Sequence, residues 1–189
     1  MGDVIATGLA WASVATLFWA GLTHLSHSRQ FVSVLVRQKV WPGDIARVIA
    51  VFIIAAELAI GGLGLVSLVS AIELVPIQTV ALSATGSLYG AYACYSLFLW
   101  RRRPEAPCGC SSRDYATNGW VVSRAGLLCV AAFVGVASSD SLGEIASFSP
   151  DAFVSLAFGL SLATVWWLMP ELMVATDRLG IREQEVQGT

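Results

Sequence analysis

The sequence predicts an all-α integral membrane protein: a four-helix transmembrane bundle with a fifth C-terminal span added to it. Three observations carry this expectation. The chain has 189 residues, of which 56% are hydrophobic and only 13% charged, about half the charged fraction of a soluble domain. Its apolar residues gather into five runs, each near the about 20 residues that a helix needs to cross a bilayer core. All eleven Lys and Arg residues fall in or beside alternate gaps between those runs, the pattern of a multi-span protein whose basic segments stay on the cytoplasmic side.

The first run is Val4 to Leu22. No positive segment precedes it and it is long enough to span, so it is expected to be a retained helix rather than a cleaved signal. At its basic end stand His24 and His27, the only two histidines. Three residues apart, they share a face if the helix continues that far. Phe31 to Trp41 alternates apolar residues with Arg37 and Lys39, which predicts a short amphipathic helix on the membrane surface. The second run, Ile45 to Ser70, is interrupted in polarity only by Glu57, and its Gly61, Gly62 and Gly64 open a groove for a neighbouring helix. The third, Ile77 to Trp100, begins after Pro76, a favoured residue at helix starts, and carries the small pair Gly86 and Gly90. The fourth, Trp120 to Ala137, is the shortest and has Arg124 near its beginning. The fifth, Ala152 to Met169, opens at Ser149-Pro150-Asp151 and is expected to close at Pro170.

The charges are sorted by gap. Arg29, Arg37, Lys39 and Arg47 mark the first; Arg101, Arg102, Arg103, Arg113 and Arg124 the third; Arg178 and Arg182 the tail. Asp3, Glu73, Asp140, Glu144 and Asp151 occupy the segments without basic residues. This places the N-terminus outside, and the C-terminus and third gap in the cytoplasm, of what is expected to be the inner or plasma membrane of a bacterial cell. Trp19, Trp41, Trp100, Trp120 and Trp167 fall near span ends, where an indole ring can sit among headgroups with its N–H wet. No basic patch is interleaved with exposed aromatics, so the expected partner is the lipid bilayer and not nucleic acid. The expected organisation is a membrane domain over 1–138, an additional span over 139–170 and a polar cytoplasmic tail over 171–189.

Cys108-Gly109-Cys110 is the sharpest chemical feature. Two thiols this close can form an internal disulfide, glycine supplying the backbone angles that so small a ring demands. Such a bond is strained and therefore readily reduced. The arginines around it favour thiolate, the reactive form. Cys108 and Cys110 are accordingly the candidate catalytic residues, in the least apolar loop of the chain. The same two thiols with His24 and His27 also make a donor set suited to zinc or another soft metal. Glu57 lies near mid-membrane, where a carboxylate must be paired, neutral or turned to a polar cavity. It is either a proton relay or a structural hydrogen-bonding group, with Ser87, Tyr89 and Tyr92 as candidate partners. Cys94 and Cys129, inside the third and fourth spans, could pass electrons from the loop pair, but single cysteines in spans are more often packing residues.

Several of these residues carry a family resemblance. Gly21-Leu22-Thr23-His24 with Phe31 following, Ala56-Glu57-Leu58 leading into Gly61-Gly62, and Pro107-Cys108-Gly109-Cys110 after a basic stretch resemble the MauE family of methylamine utilisation, within the wider DoxX-like group. The resemblance covers roughly 1–138. It implies a four-helix membrane bundle linked to the maturation of methylamine dehydrogenase, whose small subunit is rich in disulfides. It also implies a thioredoxin-like or other oxidoreductase partner and a thiol–disulfide role for Cys108 and Cys110. Glu57 becomes a family position. No bound organic cofactor is implied. A non-enzymatic scaffold for such a partner, and the metal-binding protein described above, are the alternative functions open at this stage.

Overall fold

In the computed structural model the chain forms helices α1 (Gly2–Ser26), α2 (Ser28–Arg37), α3 (Gly43–Val69), α4 (Val75–Arg102), α5 (Gly119–Ala137) and α6 (Pro150–Gln187). Residues 2–69, 75–103, 105–108, 117–138 and 150–187 are described, with side chains through 168 except at 69 and 75. Glu73, Gly109, Cys110, Arg113, Asp140 and Glu144 lie outside them. The five expected spans correspond to α1, α3, α4, α5 and the first half of α6, and the expected surface helix corresponds to α2.

Among the described residues four helices are long and apolar enough to cross a membrane: α1, α3, α5 and the Pro150–Leu168 part of α6. The 28-residue α4 is as long but carries hydroxyl and amide side chains, of which Gln78, Thr85 and Ser96 are buried inward. It runs antiparallel to α3, because its C-terminal end meets the chain just before α3: Arg103 Nη1 donates to the Gln38 carbonyl at 2.7 Å. Pro170 does not close α6 as expected; the helix continues through it to Gln187. Proline removes one backbone hydrogen bond and crowds one carbonyl. Good helix formers on either side, Leu168 and Glu171-Leu172-Met173, carry the backbone across.

The packing follows membrane logic. The buried residues are rich in alanine, whereas Val48, Val51, Phe52, Val66, Val80, Val130 and Phe153 point outward and are more than half exposed. Lipid solvates such large side chains, so helices gain most by close backbone approach through small ones. α1 is the central helix and touches every other described helix. A Cβ on Gly61 would lie 2.8 Å from the Phe18 backbone nitrogen, and one on Gly159 2.6 Å from the Gly8 carbonyl oxygen. These two crossings seat α3 and α6 on α1. Gly86 and Gly90 both face α5, against Phe133 and Cys129.

Buried hydroxyls bond to their own helix one turn back: Thr16 to Ala12 O, Thr85 to Ala81 O and Ser155 to Asp151 O. They leave no orphaned polar group in a medium that offers none a partner. All basic residues with described side chains lie at one end of the bundle, where α1 ends, α2 lies and α5 begins; Asp3 and Asp151 lie at the other.

Candidate functional site

The site is built at the basic end from α1, α2, α3, α4 and the 105–108 segment. Gly21 lets α1 approach α3 closely: a Cβ there would lie 3.0 Å from the Glu57 Cβ. One turn further along, His24 meets the carboxylate, its Nδ1 lying 2.8 Å from Oε2. The other carboxylate oxygen accepts from the Tyr92 hydroxyl of α4, also at 2.8 Å. Glu57 is 0% exposed and the His24 side chain 14%. A buried carboxylate stripped of partners costs several kcal/mol; here both oxygens are engaged, by groups 33 and 35 residues away in sequence. Phe31 of α2 stacks on the His24 ring, centroids 4.1 Å apart at 13°, and holds the imidazole in its plane.

Gln38 organises the second half of the site. The apolar stripe of α2, with Phe31, Val34 and Leu35 buried, continues one turn to this residue, which is 3% exposed. α2 ends there because Lys39 takes a left-handed conformation at φ 52°, and the turn aims the Gln38 side chain inward. Its Nε2 donates to the Pro107 carbonyl at 2.9 Å, and its Oε1 accepts from the Tyr95 hydroxyl at 2.7 Å. On the far side, Thr117 donates through both N–H and hydroxyl to the Ala106 carbonyl, at 2.9 and 3.1 Å. The segment carrying Cys108 is thus tied down by two elements, and Cys108 is 6% exposed.

A cavity of about 300 Å³ lies between these two halves, with His24, Phe31, Gln38, Tyr92, Tyr95 and Cys108 in its wall. A smaller one, about 60 Å³, lies on the other side and is lined by His24, Glu57, Tyr92, Ser96, Arg124 and Trp167 among others. His24, Tyr92 and Ser96 border both. The hydrogen-bonded group is therefore a polar partition between two chambers whose other walls are mainly apolar. Arg124 supplies a positive charge to the small chamber, its guanidinium 5.5 Å from the centre of the Trp167 ring in cation–π range.

Of the site residues expected from sequence, His24, Glu57 and Cys108 come together around these cavities. Glu57 takes Tyr92 from among its candidate partners; Tyr89 donates instead to the Ser13 carbonyl at 3.1 Å, and Ser87 is exposed. His27 does not share the site: α1 ends at Ser26, and His27 is exposed with its Nδ1 3.2 Å from the Thr23 carbonyl. Cys110 lies outside the described residues. Among the described residues no three His, Cys, Asp or Glu side chains gather as a metal site would require. Cys94 is exposed, and Cys129 is half-buried beside Gly90. Sequence reasoning missed Gln38 and the His24–Glu57 pairing. A signal for Gln38 existed: an amide on the apolar face of an amphipathic helix, at the i+7 position from Phe31.

The chain matches a family model described as Methylamine utilisation protein MauE over residues 2–138. No curated protein and no solved structure matches it.

Proposed function

The chain belongs to the MauE family, and on that premise we propose that this membrane protein takes part in thiol–disulfide exchange through Cys108 and Cys110 during the maturation of a partner protein. The observation that carries the reading is the placement of Cys108. It is buried in the wall of the same cavity as His24 and Tyr92, the two side chains that bond Glu57 from behind that wall. Two bonded neighbours hold its segment in place, and an imidazole that lines the chamber and is backed by a buried carboxylate is suited to taking up and returning a thiol proton.

The exchange runs in two steps. One thiolate of the pair attacks a sulfur of the partner's disulfide; that bond breaks, a mixed disulfide forms, and the other partner sulfur leaves as thiolate and takes a proton. The second thiolate of the pair then attacks the mixed disulfide, freeing the remaining partner sulfur and closing the Cys108–Cys110 bond. Two electrons pass from the pair to the partner. The reverse sequence oxidises a partner dithiol, and the relative reduction potentials set the direction. A thioredoxin-like protein meeting the basic face is the partner class. The methylamine pathway named in the family description, with its disulfide-rich dehydrogenase subunit, is the setting in which a maturation role belongs.

The test uses the full-length protein in detergent and a thioredoxin-like probe whose resolving cysteine has been replaced. A mixed disulfide is expected with the wild type, none with the Cys108→Ser/Cys110→Ser double variant. If that variant still supports maturation of a disulfide-bearing partner in cells, the thiols are idle and the protein acts as a scaffold.

A further inference from the structure

We propose that the cavity beside Cys108 binds the head group of a membrane quinone, which exchanges two electrons and two protons with the cysteine pair. The electron-transfer half rests on the thiol–disulfide reading above; the binding site stands on described residues alone.

Size comes first. The cavity holds about 300 Å³, the lower end of the about 300–1,000 Å³ range of small-molecule sites. That accommodates a substituted ring and excludes a folded peptide segment. Shape and polarity come next. The walls are mostly apolar, with the flat faces of Phe31, Trp41 and Tyr95 among them, suited to a planar apolar ring. Polar groups are few: Gln38 and Thr117 hold the Cys108 segment, Tyr95 bonds to Gln38 and to Trp41, and His24, Tyr92 and Ser96 stand at the boundary with the smaller cavity. Ser96 is buried at 9% exposure and lines both chambers, and its hydroxyl is the donor we assign to a ring carbonyl.

Access is the third point. The cavity lies between α3, through Ile49 and Ile53, and α4, through Leu88 and Ala91. Ala91 is exposed on the outward side of α4, so the chamber reaches the surface that faces lipid. A ligand entering there is itself lipid-soluble. Among the described residues no Lys or Arg lines the chamber, so those residues offer no cradle for the phosphates of a nucleotide cofactor.

Chemistry completes the choice. Oxidising the Cys108–Cys110 dithiol to a disulfide forms one S–S bond and releases two electrons and two protons. A quinone takes up both electrons and both protons to become the quinol, so the step balances with no further reactant. The reverse step reduces the disulfide. His24, bonded to Glu57 and through it to Tyr92, connects the chamber to the small Arg124-lined cavity, which gives the ring's protons a hydrogen-bonded path away from the chamber.

The full-length protein in lipid nanodiscs is titrated with decylubiquinone and, separately, menadione. Binding is read as tryptophan quenching relative to Trp41→Phe, and turnover as quinol formation driven by dithiothreitol. We expect saturable binding of at least one quinone. Ala91→Phe, which fills the cavity from its exposed edge, should weaken it by roughly tenfold or more, a factor equal to about 1.4 kcal/mol. Cys108→Ser should still bind quinone saturably but form no quinol. Absence of saturable binding, binding indifferent to Ala91→Phe, or equal quinol formation by wild type and Cys108→Ser each overturns the proposal. Loss of quinone binding with an intact mixed disulfide to the thioredoxin-like probe sinks only this inference. Quinone binding without that mixed disulfide sinks the thiol–disulfide reading instead.

Discussion

At the scale of single residues, the site depends on two buried polar side chains that are fully engaged. Glu57 places both carboxylate oxygens 2.8 Å from donors on two other helices. Gln38 uses its amide in both senses and its carbonyl as well, bridging α2 to α4 and to the Cys108 segment. In a low-dielectric setting such a hub matters most when removed, because its partners are left buried and unpaired at about 1–3 kcal/mol each. Gln38→Ala takes away the acceptor of the Tyr95 hydroxyl proton, leaving that hydroxyl only its contact with Trp41, and releases the Pro107 carbonyl one residue before Cys108. We expect Cys108 to become about tenfold more reactive toward maleimide, the factor that about 1.4 kcal/mol of easier local opening produces. Gln38→Glu keeps the acceptor for Tyr95 but loses the donor to Pro107, so it should raise reactivity as well. Alkylation rates unchanged in both variants would show that the segment is held by Thr117 alone.

At the scale of elements, the helices are positioned by what is missing from them. Gly61 faces the backbone of Phe18, and the first atom of any side chain there would be closer than contact allows. Seating α3 on α1 at this depth is also what brings Glu57, one turn earlier on α3, within reach of His24, two turns further along α1. Gly61→Val is therefore expected to lower stability by about 1–3 kcal/mol, measured as an earlier thermal unfolding midpoint in detergent. It should also disturb the His24–Glu57 contact, although neither residue has changed. Gly62→Val, which meets only the far edge of the Phe18 ring at 3.7 Å, is the control that should be tolerated. Equal behaviour of the two variants would remove the close crossing as the reason for the glycine.

At the scale of the whole molecule, the bundle has two chemically different ends. The basic end holds α2, the Cys108 segment and both cavities, and the positive-inside tendency predicts a cytoplasmic position for it, which labelling tests. Lys39→Cys, in a background with the native cysteines replaced by serine, should be labelled by a membrane-impermeant maleimide in inside-out vesicles and protected in whole cells. Asp3→Cys should show the opposite. The reversed result would turn the molecule over and present the Cys108 cavity to the exterior, where disulfides persist. The last span belongs to the same body, since α6 meets α1 at the Gly8–Gly159 crossing and reaches Arg124 of α5 through Trp167.

How far the chain could be read without its structure follows from the range of each force. The apolar helices and the unequal ends were legible because apolarity and charge belong to individual residues and a helix closes its own hydrogen bonds within four residues. The stop expected at Pro170 failed for a related reason: proline's local penalty is finite, and its helix-forming neighbours outweighed it. Everything that makes a site was decided by tertiary packing. His24 and Glu57 are 33 residues apart and Gln38 and Pro107 are 69 apart; only the depth at which glycine and alanine let α1 and α3 cross, and the turn at Lys39, bring them together. By itself the sequence determined that this is a membrane bundle with a cysteine motif at its basic end. The burial of Cys108 in a chamber beside a hydrogen-bonded histidine and glutamate was decided by helix contacts, which are a property of pairs of surfaces and are written in no single segment.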